Sequence, residues 1–446
     1  HLNRKDDFMK TNKTKPNKNH NANRRILAKG CYISNNTWAT GLNNNDIIIG
    51  PSGSGKTRGY VKPNILQCNE SMIIADTKGN LIKELKKPLE KAGYRVIDMN
   101  FKNLAHSYGY NPFDYIRYDK ESGRYNEQDI LTIASAIVPK PASKNDPFWE
   151  LAAKMYFTSA VAYTMECLPE DEHNLDSAIT LSLQMGSGNY AKLIEELECV
   201  NPDSLAARTY NLFKSTYKSE KTEASILAIL GEKFNGLILS ELLKMYKSEN
   251  RIDFSSLGRE KTAVFLSISD TDRSKDRIIS LFYTQALQAL CNSADFDYED
   301  CRLPVPVRFI LDDFATNAYI PDFDKIISVI RSREIYVSII LQSITQLDAL
   351  YGASNAKTII NNCDNCLYLG GQDIDTANYM SFKANKSITT ILNMPLDEAY
   401  LFTRGREPRI VEKYDITEHT RYRELPESRN ITVENKNMEG CEICGI

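Results

Sequence analysis

Residues 50–57 read Gly-Pro-Ser-Gly-Ser-Gly-Lys-Thr and meet every fixed position of the phosphate-loop pattern G-x-x-x-x-G-K-[ST]. Gly50, Gly53 and Gly55 let the backbone curl so that its N–H groups face a phosphate chain, with Pro51, Ser52 and Ser54 completing the turn. Lys56 is then the cation for the β- and γ-phosphates, and Thr57 supplies a hydroxyl to Mg²⁺. The expected ligands are ATP and Mg²⁺. The apolar run Asp46-Ile-Ile-Ile-Gly50 stands directly before the loop, and residues able to start a helix follow it. That strand, loop, helix order is the context the motif requires.

A second element must bring acid chemistry to the same place. Val307-Arg-Phe-Ile-Leu-Asp-Asp-Phe314 is an apolar strand ending in two carboxylates. Asp312 is placed to hold Mg²⁺ through its water shell, and Asp313 to orient or deprotonate an attacking water. The plainer alternative is a pair of aspartates that cap the next helix.

Three further strand ends carry polar groups with two readings each. Asp76 and Lys78, in Met72-Ile-Ile-Ala-Asp-Thr-Lys-Gly-Asn80, either shape the γ-phosphate region or cap the helix that starts near Leu81. Gln342, after Tyr336-Val-Ser-Ile-Ile-Leu341, either senses a γ-phosphate or is an ordinary strand-end amide. Arg331 and Arg333 offer guanidinium forks suited to phosphate, or pair with Glu334 or Asp324. The basic and aromatic run 208–221 has the composition of a single-strand surface. Yet Tyr210, Phe213 and Tyr217 recur at helical spacing, which favours burial in a core.

The elements that position these residues alternate. Apolar runs at 46–50, 72–76, 95–99, 262–268, 307–312, 336–341 and 366–370 read as strands covered on both faces. Helical patterns at 81–92, 276–291 and 326–333 lie between several of them, as in a parallel α/β sheet. Between 126 and 247 strand signals nearly vanish, so an all-α domain is inserted, and Asp146-Pro147 reads as the start of one of its helices. The expected division is a basic tether over 1–30, a nucleotide-binding domain over 31–120 and 251–425, an all-α domain over 121–250 and a polar tail over 426–446. Sequence patterning already weakens from about Glu412, which suggests an extended or flexible end.

Composition bounds the rest. The chain has 446 residues, 25% charged and 42% hydrophobic, with a formal charge of −3. That is globular, and it excludes a protein coated with positive charge for nucleic acid. The ten cysteines suit reduced thiols better than a disulfide framework. The pairs Cys363/Cys366 and Cys441/Cys444 have zinc spacing, but nothing brings them together, and incidental thiols are the better reading. No run reaches the roughly 18 apolar residues of a membrane helix. The first 30 residues hold nine Lys or Arg. They read either as a simple basic tail or as the cytoplasmic flank of a membrane anchor.

Taken together, the loop at Gly50, IIADTKGNLIKEL from Ile73, NPFDYI from Asn111, DPFWELAAKMYF from Asp146, ILDDFA from Ile310, IRSREI from Ile330, SIILQSITQL from Ser338 and KYDITEH from Lys413 resemble the coupling-protein ATPases of conjugative type IV secretion. The resemblance covers most of 43–419. It implies a RecA-like motor domain, with a mainly parallel sheet, interrupted by an all-helical domain. It also implies P-loop roles for Lys56 and Thr57, Mg²⁺ at Asp312, nucleotide sensing by Gln342, and Arg331 as a finger reaching a neighbouring subunit's ATP. Single-stranded DNA and a relaxase are the implied cargo. The channel's ATPases and membrane components are the implied partners, with a homo-hexamer at the cytoplasmic face of the cell membrane, or a monomer for a soluble fragment. One departure stands out: the family commonly has Glu where this chain has Asp313, one methylene shorter. Three hypotheses follow, namely a DNA-transfer motor, a nucleotide-gated adaptor with little hydrolysis, and a related translocase acting on duplex DNA or protein alone.

Overall fold

Strands form where β-branched runs lack a polar face. A computed structural model describes residues 23–139, 148–216, 220–269, 271–314 and 319–428. Its strands are β1 (Arg24–Ala28), β2 (Cys31–Ser34), β3 (Asp46–Ile49), β4 (Ser71–Ala75), β5 (Arg95–Asn100), β6 (Tyr118–Asp119), β7 (Arg124–Tyr125), β8 (Thr262–Ser267), β9 (Val307–Leu311), β10 (Ile335–Leu341), β11 (Asn365–Tyr368), β12 (Glu398–Thr403) and β13 (Arg409–Glu412). Nine of them make one sheet in the order β13-β12-β11-β3-β10-β9-β4-β8-β5. From β11 to β5 every pairing is parallel, and β12 and β13 add an antiparallel edge.

Both faces of the sheet are covered, which is why its strands read as unbroken apolar runs. Ile47, Ile49, Ile73, Val264, Leu266, Phe309 and Ile339 point into a core shared with the helix Asp276–Asp297 and the helices between β7 and β8. Ile48, Met72, Ile74, Phe265, Ile310 and Ile340 point the other way, onto Tyr60, Val61 and Ile65 and onto the helix Leu81–Lys91.

Between β7 and β8 the described residues are helical, from Glu127–Ile137 to Ser240–Tyr246. The helix Phe148–Cys167 is central and buried on nearly every side. Tyr156 packs against Tyr190 and Phe213 with ring centroids 5.3 and 5.1 Å apart, and Tyr190 packs against Tyr210 at 5.6 Å. Tyr210 and Phe213 are therefore core residues and not a stacking platform for bases. Tyr217 and the Asp146-Pro147 start lie outside the described residues.

Two segments depart from expectation. The tether was expected over 1–30, but Arg24–Ala28 is a strand and Arg25 is buried. Arg25 donates from Nε to Asp46 Oδ2 at 2.6 Å and from Nη1 to Asn35 Oδ1 at 2.6 Å. A buried arginine looks like tail charge until its carboxylate partner is placed beside it. Residues 1–22 lie outside the described residues. The flexible end expected from Glu412 is also corrected, because 413–428 folds back onto the sheet domain with Ile416 and Leu425 fully buried. Its apolar residues are too widely spaced to announce a regular element, and they are fixed by packing instead.

Candidate nucleotide site

In a parallel sheet all strands end at one edge, and ligands gather there. Four adjacent strands, β3, β10, β9 and β4, deliver respectively the loop at Gly50, Gln342, the pair Asp312 and Asp313, and Asp76. The cleft between them has a volume of about 490 Å³, and Ser52, Gly53, Gly55, Lys56, Thr57, Asp76, Lys78, Asp312, Asp313 and Gln342 line it. Gly50, Pro51 and Ser54 complete the loop without lining this cleft, and Pro51 is exposed.

The contacts inside the cleft are direct. Thr57 Oγ1 donates to Asp312 Oδ2 at 2.9 Å, across 255 residues of sequence. Lys56 Nζ donates to the carbonyl oxygens of Gly50 at 2.6 Å and Pro51 at 2.8 Å. Burial pushes the Lys56 ammonium below its ordinary pKa, against the opposing pull of Asp312 and Asp313. Burial likewise pushes the Asp312 carboxyl up, aided by Asp313, while the Thr57 hydroxyl resists. A cation brought to Thr57 and Asp312 would relieve that cost.

Asp313 has φ +52, a left-handed backbone unusual outside glycine, asparagine and aspartate. Its N–H donates to Asp312 Oδ1 at 3.0 Å, and its Oδ1 accepts from Gln342 Nε2 at 3.3 Å. Asp76 is committed elsewhere, because its two oxygens accept from the N–H groups of Asn80 at 3.0 Å and Ile82 at 3.1 Å. That is the helix-capping arrangement, although Asp76 still borders the cleft. Lys78 is exposed at the rim.

Arg331 is not brought to this cleft. It sits in the turn Ile330–Arg333 that precedes β10, at the opposite edge of the sheet from Gln342. Seven strand residues at about 3.3 Å each put it roughly 20 Å from its own phosphate loop. It is exposed, whereas Arg333 makes a two-pronged pair with Asp295 at 2.7 and 2.8 Å. Of the expected partners, Glu334 is taken by Arg302 and Tyr336.

The residues present fit a phosphate chain with a divalent cation. Gly53 and Gly55 have φ of +80 and +91, and a Cβ on either would meet nothing within 4 Å, so the loop is an open cradle. The Ser54 hydroxyl is buried with no hydrogen-bond partner among the described residues. Thr57 and Asp312 present hard oxygens, the donors Mg²⁺ prefers. Among the described residues zinc has no comparable place: Cys363 and Cys366 are buried free thiols raised by that burial, and Cys441 and Cys444 lie outside the described residues. No group of three His, Cys, Asp or Glu side chains able to hold a metal occurs among the described residues.

Sequence reasoning missed three groups around the loop. Lys62 pairs with Glu84 at the cleft wall, Arg58 pairs with Glu427 at 2.7 Å, and Lys413 approaches the loop from behind. Arg58 and Lys62 follow the loop closely in sequence, whereas the approach of Lys413 depends on the fold.

A mainly parallel sheet, a helical insertion and a phosphate loop facing an aspartate-ended strand define the class, a P-loop nucleotide-binding protein of RecA-like fold. The chain belongs to the type IV secretory system conjugative DNA transfer family, whose model matches residues 3–390. It is 21% identical over 356 residues to Protein VirD4 of Rhizobium radiobacter, covering 79% of this chain and 49% of that protein. Protein VirD4 of Agrobacterium fabrum is 23% identical over 357 residues, covering 79% and 50%. The chain thus spans about half the length of the curated relatives it matches.

Among solved structures, the plasmid coupling protein TrwB with the ATP analogue ADPNP superposes with a TM-score of 0.60 at 16% identity, covering 83% of this chain and 85% of that one. TrwB with ADP and Mg²⁺ gives the same TM-score, identity and coverage. VirB4 of Thermoanaerobacter pseudethanolicus gives 0.53 at 12% identity, covering 88% and 96%. At such identities the likeness speaks for the fold.

Proposed function

We propose that this chain is the nucleotide-driven part of a conjugative coupling protein. It recruits relaxase-bound single-stranded DNA at the cytoplasmic face of the cell membrane and drives or gates transfer into a type IV secretion channel. The working form is a ring of six copies. The observation that carries this reading is the Thr57–Asp312 contact at 2.9 Å, which joins the phosphate loop and the aspartate-ended strand into one site. Family membership and the likeness to TrwB, solved with an ATP analogue and with ADP and Mg²⁺, support ATP and Mg²⁺ as its ligands.

Within the cleft, the N–H groups of the glycine loop and the Lys56 ammonium hold the β- and γ-phosphates, and Thr57 and Asp312 hold Mg²⁺. When bound, that ion neutralises phosphate oxygens. Asp313 takes the proton of the attacking water and Gln342, bonded to Asp313, reports the state of the γ-phosphate. Arg331, roughly 20 Å away at the other sheet edge, acts on the site of a neighbouring copy.

The test is steady-state ATP turnover by the chain and by Lys56→Ala, with and without single-stranded DNA. DNA-stimulated turnover that disappears in the variant supports the motor. A second reading, a nucleotide-gated adaptor, is favoured by the short, left-handed Asp313 already engaged by Gln342. Tight ATP binding with no turnover in any condition would select it.

A further inference from the structure

The phosphate loop has little side-chain packing to fix its peptides, since Gly53 and Gly55 face open space. Backbone contacts must therefore hold it. Ser54 N donates to Pro51 O at 3.2 Å within the loop. Lys56 Nζ holds the Gly50 and Pro51 carbonyls at its start, and a further contact comes from far along the chain: Lys413 Nζ, just after β13, donates to Ser54 O at 3.3 Å and to Leu369 O at 3.2 Å.

The direction of that contact matters. The Ser54–Gly55 peptide is trans, so its carbonyl and its N–H point opposite ways. Its oxygen faces Lys413, beside a cavity of about 260 Å³ that Leu27, Gly59, Leu369 and Tyr414 help to line. Gly55 borders this cavity on one side and the cleft with Lys56, Thr57 and Asp312 on the other. A carbonyl held from behind turns the N–H of Gly55 forward, into the cleft.

The second acceptor adds to the effect. Leu369 N donates to Ile49 O at 2.7 Å, and a Cβ on Gly50 would come within 2.8 Å of Leu369 Cβ. One ammonium thus grips both the loop and the strand extension on which the loop is seated. Lys413 is itself fixed, since its N–H donates to Asp397 O at 2.9 Å.

We propose that Lys413 is a positioning residue for phosphate binding, one that holds the Ser54 carbonyl and so aims the Gly55 N–H at the phosphate chain. This rests on the nucleotide-binding reading of the cleft above. Its test is calorimetric titration of Mg-ADP, and competition by inorganic pyrophosphate, on the full chain and on Lys413→Met, Lys413→Gln, Lys413→Arg and Lys56→Ala.

Losing one charge-assisted contact should weaken both ADP and pyrophosphate about tenfold in Lys413→Met and Lys413→Gln. Their melting temperatures should stay close to that of the parent. Lys413→Arg, which keeps a cation on a long stem, should retain affinity within about threefold. Loss in Lys413→Arg as large as in Lys413→Met would assign Lys413 to packing and overturn the proposal. ADP affinity in Lys413→Met and Lys413→Gln within about twofold of the parent, with Lys56→Ala binding nothing, would overturn it while leaving the nucleotide site standing. A parent chain without ADP affinity would remove both.

Discussion

The chemistry rests on a few side chains whose charge is set by their surroundings. Asp312 is raised by burial and met by the Thr57 hydroxyl, and a cation beside it would favour its charged form. Asp313 is the candidate base, and its reach is one methylene shorter than the family's usual glutamate. Asp313→Asn keeps the size and the contact with Gln342 but cannot take a proton. It should lower turnover by at least about 100-fold with nucleotide affinity unchanged. Turnover near the parent value would move the base to another residue. Thr57→Val exchanges the hydroxyl for a methyl group of similar size and should weaken Mg-ADP far more than ADP measured with a chelator present.

Two elements at the margins of the chain prove to be part of the scaffold. β1 is tied down by Arg25, whose guanidinium lies on Asp46 with Tyr60 OH on the same carboxylate at 2.6 Å. Burial alone would raise the Asp46 carboxyl, and the guanidinium groups of Arg25 and Arg308 bring it below its ordinary value. Removing one partner of a buried pair leaves its charge uncompensated. Arg25→Ala should therefore cost about 3 kcal/mol, read from the denaturant midpoint.

The segment 413–428 carries its own pH signature. His419 is pushed down to about 4 by burial, with Arg421 adding to the effect and Glu424 opposing it. Its Nδ1 accepts from Arg421 N at 3.1 Å, which requires a ring nitrogen without a proton. The folded value is below the ordinary 6.5, so the contribution to stability is complete above pH ~6.5 and is lost as pH falls toward about 4. Melting temperature should drop across that window, and His419→Gln should flatten the drop. An equal slope in both proteins would refute the assignment.

At the scale of the whole molecule, the sheet separates the parts that must cooperate. The phosphate loop and Arg331 occupy opposite edges, so on the proposed reading Arg331 serves the site of a neighbouring copy and not its own. Arg331→Ala should abolish turnover yet bind ATP. Mixing it with Lys56→Ala subunits, whose own sites are dead, should restore activity. Absence of recovery in mixed assemblies known to form would end the finger assignment. Any DNA-stimulated turnover should fall as salt rises, since contacts to a phosphate backbone are made through charge. Among the described residues no helix is long and apolar enough to cross a membrane.

Local patterns determined much of this by themselves. The loop at Gly50, the carboxylates after β9 and the seven parallel strands were legible because each depends on residues adjacent in sequence, and because strands covered on both faces lose their polar alternation. The helical spacing of Tyr210 and Phe213 likewise foretold burial. Tertiary structure alone decided the rest, and the reason is distance along the chain. Whether Asp76 caps a helix or faces phosphate depends on which N–H groups reach it, and both readings share one sequence. Arg25 becomes a core residue only because Asp46 waits in β3, and Arg333 is tied down only because Asp295 lies in the last turn of a helix, 38 residues earlier. Lys413 meets a carbonyl 359 residues away. A backbone oxygen leaves no mark in a sequence, so no residue pattern could have announced that contact before the chain was folded.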